Sequence, residues 1–341
     1  MRKKQPFFIL SMLFILSVFY SVSATSVSAG TVKLTYSNFF PPLHIQSRLA
    51  ESWCREVEKR TLGKVKIEYY PGGTLTKAKQ CYDGVVEGLS DIGFSVLGYS
   101  RGRFPVMAVI DLPLGYTSGV AATQLANLVY ENFMPKEFRD TEIMYFHAHG
   151  PGLIHTRSMP VRKLKDIKGL KLRATGNSAK IIKALGGTPV AMSMPDSYQS
   201  IQKGIVKGGI YPVETNKGWK MGEVVDYCTA SYSAAYSTAF FVAMNKDKWN
   251  SLPTDIRKTI EQINAEWILK HGEAWDNSDA EGMKFFLNQG NDIIGLDKKE
   301  AAKWKNAVMP IIDNYIKEIN SRGLNGKHIV DFTIKTLDTL Q

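Results

Sequence analysis

Apolar positions recur along the chain with two alternating periods. Val32, Leu34 and Tyr36 alternate with polar neighbours, which predicts a strand ending at Asn38-Phe39-Phe40-Pro41-Pro42. Leu49, Trp53 and Val57 then share one face of a helix expected over residues 46–60. Val65, Ile67 and Tyr69 return to period two and stop at Pro71-Gly72-Gly73. A helix carrying Ala78, Tyr82, Val85 and Leu89 follows, then a strand over 92–97. Strands alternating with helices imply a mostly parallel sheet covered by helices. A second unit of this kind starts after His147-Ala148-His149-Gly150-Pro151-Gly152. It has a strand over 170–174, a helix ending at Gly186-Gly187, a helix over 196–203 and a strand over 239–244. From Pro253 to Gln289 the residues Ile256, Ile260, Ile263, Trp267, His271 and Trp275 keep helical spacing. A helix of that length exceeds the usual globular one and is expected to brace two units.

The first 29 residues follow neither period. Met1-Arg2-Lys3-Lys4 is basic, residues 7–20 are uncharged and almost wholly apolar, and Val27-Ser28-Ala29 is a small-residue exit, with Val22-Ser23-Ala24 as a second one. This pattern predicts a cleaved secretory signal peptide over 1–29. The apolar run is shorter than the roughly 20 residues that a spanning helix needs, which weighs against the competing membrane anchor.

The chain has 341 residues, 44% hydrophobic and 22% charged, enough for two cores. Its net charge is +11; losing Arg2, Lys3 and Lys4 leaves 40 basic against 32 acidic residues, or +8. The lysines are scattered without interleaved aromatics, so the charge suits small anions and argues against nucleic acid. Cys54, Cys81 and Cys228 lie in the exported part, where disulfides can form. A Cys54–Cys81 bridge is the favoured pairing, with three buried thiols as the alternative.

Motifs for catalysis are lacking: the sequence has no GxSxG, HExxH, Walker loop or GxGxxG. His147 and His149 share a strand face but have no third ligand of matching spacing, so no metal site and no cofactor are expected. Arg173 stands apart. It points opposite to Leu170, Leu172 and Ala174, near the carboxyl end of its strand, where open α/β sheets bind ligands. A guanidinium there matches a carboxylate in two parallel hydrogen bonds; pairing with a nearby surface acid is the alternative.

Several segments together resemble the extracytoplasmic solute receptors of TRAP transporters, of the dicarboxylate-receptor type. They are Asp166-Ile167-Lys168-Gly169-Leu170-Lys171-Leu172-Arg173, the run from Lys183-Ala184-Leu185-Gly186-Gly187 to Met192-Ser193-Met194, Tyr198, and Gly204-Ile205-Val206-Lys207-Gly208. Upstream, Tyr69-Tyr70-Pro71-Gly72-Gly73-Thr74-Leu75 and Gly88-Leu89-Ser90-Asp91-Ile92-Gly93 agree, as do Asn245 and Trp249-Asn250-Ser251-Leu252-Pro253 downstream. The resemblance spans essentially the whole exported chain.

It implies a two-lobed periplasmic-binding-protein fold, class II-like, each lobe a mostly parallel sheet flanked by helices and a long helix bracing both. Lobe I would comprise residues 30–150 and about 244–285, lobe II residues 151–243 and about 286–341. The implied function is a periplasmic receptor, expected as a monomer and not an enzyme, that closes on a small organic acid and hands it to the small and large TRAP membrane subunits. The family's carboxylate-clamping arginine falls on Arg173. A second arginine common in the family falls on Leu153, and an Asn that often precedes a Pro is Tyr211 here. These departures point away from a C4-dicarboxylate and toward a monocarboxylate or 2-oxo acid, aromatic or branched. Phe39, Phe40, Ser95, Thr175 and Met194 are further expected contacts, with ordinary core packing as the competing role of the two phenylalanines. Glu214 and Trp219 complete the set, with structural packing as the competing role of each. Receptors of ABC or sensor type, and a secreted α/β hydrolase or lyase, are the rival readings.

Overall fold

The computed structural model describes residues 30–341; the expected signal peptide lies outside the described residues. Eleven strands are present among them: β1 (Val32–Asn38), β2 (Val65–Tyr70), β3 (Ile92–Val96), β4 (Thr141–Ala148), β5 (Gly152–Thr156), β6 (Lys171–Ala174), β7 (Thr188–Ala191), β8 (Gly208–Pro212), β9 (Tyr227–Ala230), β10 (Ala239–Asn245) and β11 (Asp292–Gly295). They form two sheets, in the orders β2-β1-β3-β10-β4 and β11-β9-β5-β8-β6-β7. The β1–β2, β1–β3, β6–β7, β6–β8 and β9–β11 pairs are parallel. Both sheets are nevertheless mixed, because β10 runs antiparallel to β3 and β4, and β5 antiparallel to β8 and β9. The chain leaves the first sheet after β4, builds most of the second, and returns through β10. Each of the two lobes is therefore entered more than once.

The helix Thr254–Asn288 turns its buried face, Ile256, Ile260, Ile263, Trp267, His271 and Trp275, toward the first sheet's core. Its 35 residues span about 52 Å at 1.5 Å per residue. Farther along, Phe286 joins the second sheet's apolar cluster. Gly282 is needed there, since a Cβ would stand 2.4 Å from the carbonyl oxygen of Val213. One helix thus packs on both lobes. The C-terminal helix Gly326–Leu340 packs against the helix Gly119–Phe133, which covers β4.

Two expectations need correction. The helix after β2 is only Cys81–Val86; Gly88, at φ 77°, ends it, and Leu89 is exposed. The Cys54–Cys81 disulfide is absent, and all three cysteines are free and buried. Strand order explains why. The β1-to-β2 and β2-to-β3 crossovers run in opposite directions across the sheet, and right-handed connections then place their helices on opposite faces. Cys54 packs with Trp53, Tyr36 and Phe94 on one face. Cys81 packs over Gly93 on the other, with Tyr82 and Phe241.

Candidate functional site

The carboxyl ends of β1, β3, β6 and β8 converge between the sheets on a small cavity. Phe39 and Phe40 follow β1 in a pinned turn. The Phe40 N–H donates to Asn38 Oδ1 (2.9 Å), and the N–H groups of Gly72 and Gly73 donate to the Phe40 and Asn38 carbonyls. Trp219 stacks on Phe39 at 6.0 Å and lies 5.5 Å from Phe40. Phe240 and Trp275 stack at 5.2 Å to form another wall. Tyr99, at 5.7 Å from Phe39, closes the aromatic lining toward Arg173.

Arg173 is the cationic group of this cavity. It lies on β6, 4% exposed, and its Nε and Nη1 donate to the carbonyls of Met192 (3.2 Å) and Ile210 (3.4 Å). Neither partner is charged. A buried guanidinium held only by carbonyls is costly unless an anion joins it. Tyr99 Oη accepts the Met194 N–H (2.9 Å), so its own hydrogen is free to donate. Burial pushes the Tyr99 phenol up, while Arg173 pulls it down. Thr175 Oγ1 donates to the Met192 carbonyl (3.0 Å), the same one that receives Arg173 Nε.

Tyr211 stacks on His155 at 4.3 Å, and its hydroxyl has no hydrogen-bond partner among the described residues. Leu153 pairs with it in the β5–β8 register and is fully buried in the same apolar cluster. Glu214 Oε2 accepts from His44 Nε2 at 3.0 Å, and the Glu214 N–H donates to Asp279 Oδ1 at 2.8 Å. Burial pushes the Asp279 carboxyl up to about 8, and the Glu214 charge adds to the rise.

Of the residues singled out in the sequence, Arg173, Phe39, Phe40, Thr175, Met194, Tyr211, Glu214 and Trp219 all line this cavity. Ser95 does not. Ile92, Phe94 and Val96 face the first sheet's core and the cavity, so Ser95 points the other way, donating to the Ala78 carbonyl at 2.7 Å. Its neighbour Val96 is the lining residue. Tyr99, His149, Tyr236, Thr238, Phe240 and Trp275 also line the cavity without having been singled out as contacts. Strand phase would have yielded Val96 and Phe240; Tyr99 and Tyr236 sit outside the periodic segments. His147 turns into the first core, accepting from Trp275 Nε1 (2.9 Å) and stacking on His271 at 4.3 Å. Among the described residues no group of three or more His, Cys, Asp or Glu stands in a metal-binding arrangement.

Residues 36–318 match the model of a family described as bacterial extracellular solute-binding protein, family 7. The chain belongs to that family. It is 26% identical over 313 residues to the C4-dicarboxylate-binding periplasmic protein DctP of Rhodobacter capsulatus, covering 86% of this chain and 89% of the relative. A TRAP solute binding protein of Rhodoferax ferrireducens T118, crystallised with copurified benzoate, superposes with a TM-score of 0.85 at 28% identity, covering 91% of this chain and 98% of that one. A marine-metagenome TRAP solute binding protein specific for aromatic acid ligands, in complex with 3-hydroxybenzoate, gives 0.87 at 28% identity, covering 92% and 99%. The family-7 chain is thus a TRAP solute receptor with the two-lobed fold of these proteins, and its family is one of solute-binding receptors. Among the described residues no helix is long and apolar enough to cross a membrane.

Proposed function

We propose that this family-7 receptor binds an aromatic monocarboxylate between its lobes and delivers it to the TRAP membrane subunits. Arg173 and Tyr99 take the carboxylate; Phe39 and Trp219 on one side, and Phe240 and Trp275 on the other, take the ring. The observation that carries this reading is the buried guanidinium of Arg173, which has no acidic partner among the described residues and opens onto aromatic walls. Leu153, where many relatives place a second arginine, is apolar and fully buried, which disfavours a second ligand carboxylate. The relatives that carry benzoate and 3-hydroxybenzoate support the same choice over a C4-dicarboxylate.

Binding acts as a population shift: a ligand touching both lobes has differential affinity for the closed state. The receptor is taken to work in the periplasm after loss of residues 1–29, with lobe I built on the sheet β2-β1-β3-β10-β4 and lobe II on the sheet β11-β9-β5-β8-β6-β7. A thermal-shift screen of the protein from residue 30 onward against benzoate, phenylacetate, branched monoacids, fumarate and succinate tests the assignment. Stabilisation by aromatic monoacids above all others is expected. Stabilisation by the C4-diacids and not by the aromatic monoacids would overturn it.

A further inference from the structure

His149 lines the cavity, and the carboxylate does not account for it. Its Nδ1 lies against the carbonyl oxygen of Gly150. A carbonyl oxygen only accepts, so Nδ1 carries the hydrogen and Nε2 presents a lone pair. The residue is 4% exposed, and no protein group among the described residues donates to Nε2. The indole N–H of Trp275, whose ring packs against His149, is engaged with His147. Tyr236 fixes where this acceptor sits. Its ring meets His149 edge-on at 5.4 Å, and its hydroxyl donates to the Ile210 carbonyl at 3.2 Å. Arg173 Nη1 donates to that same carbonyl. His149 and Arg173 border the same cavity, so the free acceptor and the anion clamp face one bound molecule. Burial, reinforced by the Arg173 charge, pushes the imidazole down to about 4, which keeps it neutral at physiological pH.

We propose that His149 Nε2 accepts a hydrogen bond from a hydroxyl on the carbon next to the bound carboxylate, making the receptor selective for 2-hydroxy acids. The inference rests on the carboxylate lying at Arg173. A hydroxyl satisfies the acceptor. A hydrogen in its place leaves the lone pair unpaired in a desolvated site, and an oxo oxygen sets lone pair against lone pair. The 2-oxo alternative left open by the sequence is thereby disfavoured.

Mandelate, phenylacetate and phenylglyoxylate share ring and carboxylate, differ only at the intervening carbon, and the oxo member cannot enolise. Calorimetric titration of each into the wild-type protein should give at least about tenfold tighter binding of mandelate. His149→Phe, which keeps an aromatic ring and removes the acceptor, should bring mandelate to the affinity of phenylacetate. Wild-type titrations in two buffers of different ionisation enthalpy need no variant: the neutral acceptor predicts no proton uptake on binding. Equal affinity for the three acids, tighter binding of phenylglyoxylate, or uptake of about one proton would overturn the assignment while leaving the carboxylate clamp standing. Failure of all three acids to bind would instead remove the clamp, and this inference with it.

Discussion

Replacing His44 by Asn separates two tasks of one side chain. His44 Nδ1 accepts the Gln46 N–H (3.2 Å) and caps the helix Ile45–Arg60, while Nε2 donates to Glu214 across the cleft. Asn is a good N-cap and keeps the first task, but it is too short for the second. Both side chains are nearly inaccessible, at 1% and 2% exposure, so the variant leaves a buried carboxylate without its partner. Breaking a buried pair from one side costs about 3–5 kcal/mol. For the 312 described residues, an unfolding entropy of about 2 cal/mol/K per residue turns this into a fall in Tm of about 5–8 °C. Adding Glu214→Gln removes the stranded charge and should recover about half of the loss. The coupling on the double-mutant cycle should then be about 1.5–3 kcal/mol. Thermal unfolding of the four ligand-free proteins at low salt reads it. Additivity to within about 0.5 kcal/mol would refute the reasoning, since it would mean that water, and not His44, satisfies Glu214 in the free receptor.

Asp279 sets a pH dependence of definite sign. Its folded value, about 8, lies above the ordinary 3.8, so its contribution is fully present below pH 3.8 and is lost as pH rises through 8. Between pH 5 and 7 the loss is about 1.4 kcal/mol per pH unit, and Asp279→Asn should narrow or reverse its stability gap to wild type by about 2–3 kcal/mol over that range. A gap that stays constant from pH 5 to 7 in denaturant titrations would contradict this. The thiols provide another check. Burial raises all three, Cys81 to about 12, so none should react with a thiol reagent in the native protein. Three per chain should react after denaturation without reductant, whereas a single reactive thiol would reveal a bridge.

Period-two and helical patterns made the strands β1 to β3 and the bracing helix legible, because each buries one face and the sequence records which. Arg173 was legible for the same reason: alternation along β6 set it opposite Leu172 and Ala174. Sequence spacing failed where three-dimensional order decides. Cys54 and Cys81 are separated by one strand in sequence, yet β1 lies between β2 and β3, and the sheet stands between the thiols. Ser95 was a phase error of one residue, which on a strand exchanges cavity for the opposite face. Trp275 reads as core on the helix and does pack there, while it also borders the cavity. Periodicity cannot distinguish those two surroundings. Tyr99 and Tyr236 reach the site from non-periodic connections, which carry no facing signal.

The central claim is that Arg173 anchors an aromatic monocarboxylate. Its most direct test is calorimetric titration of benzoate into the wild type and Arg173→Met, with fumarate as the comparison. The account predicts benzoate binding by the wild type, weaker or undetectable fumarate binding, and a benzoate loss of about 100-fold or more in the variant with its fold retained by circular dichroism. Undiminished benzoate affinity in Arg173→Met would contradict it.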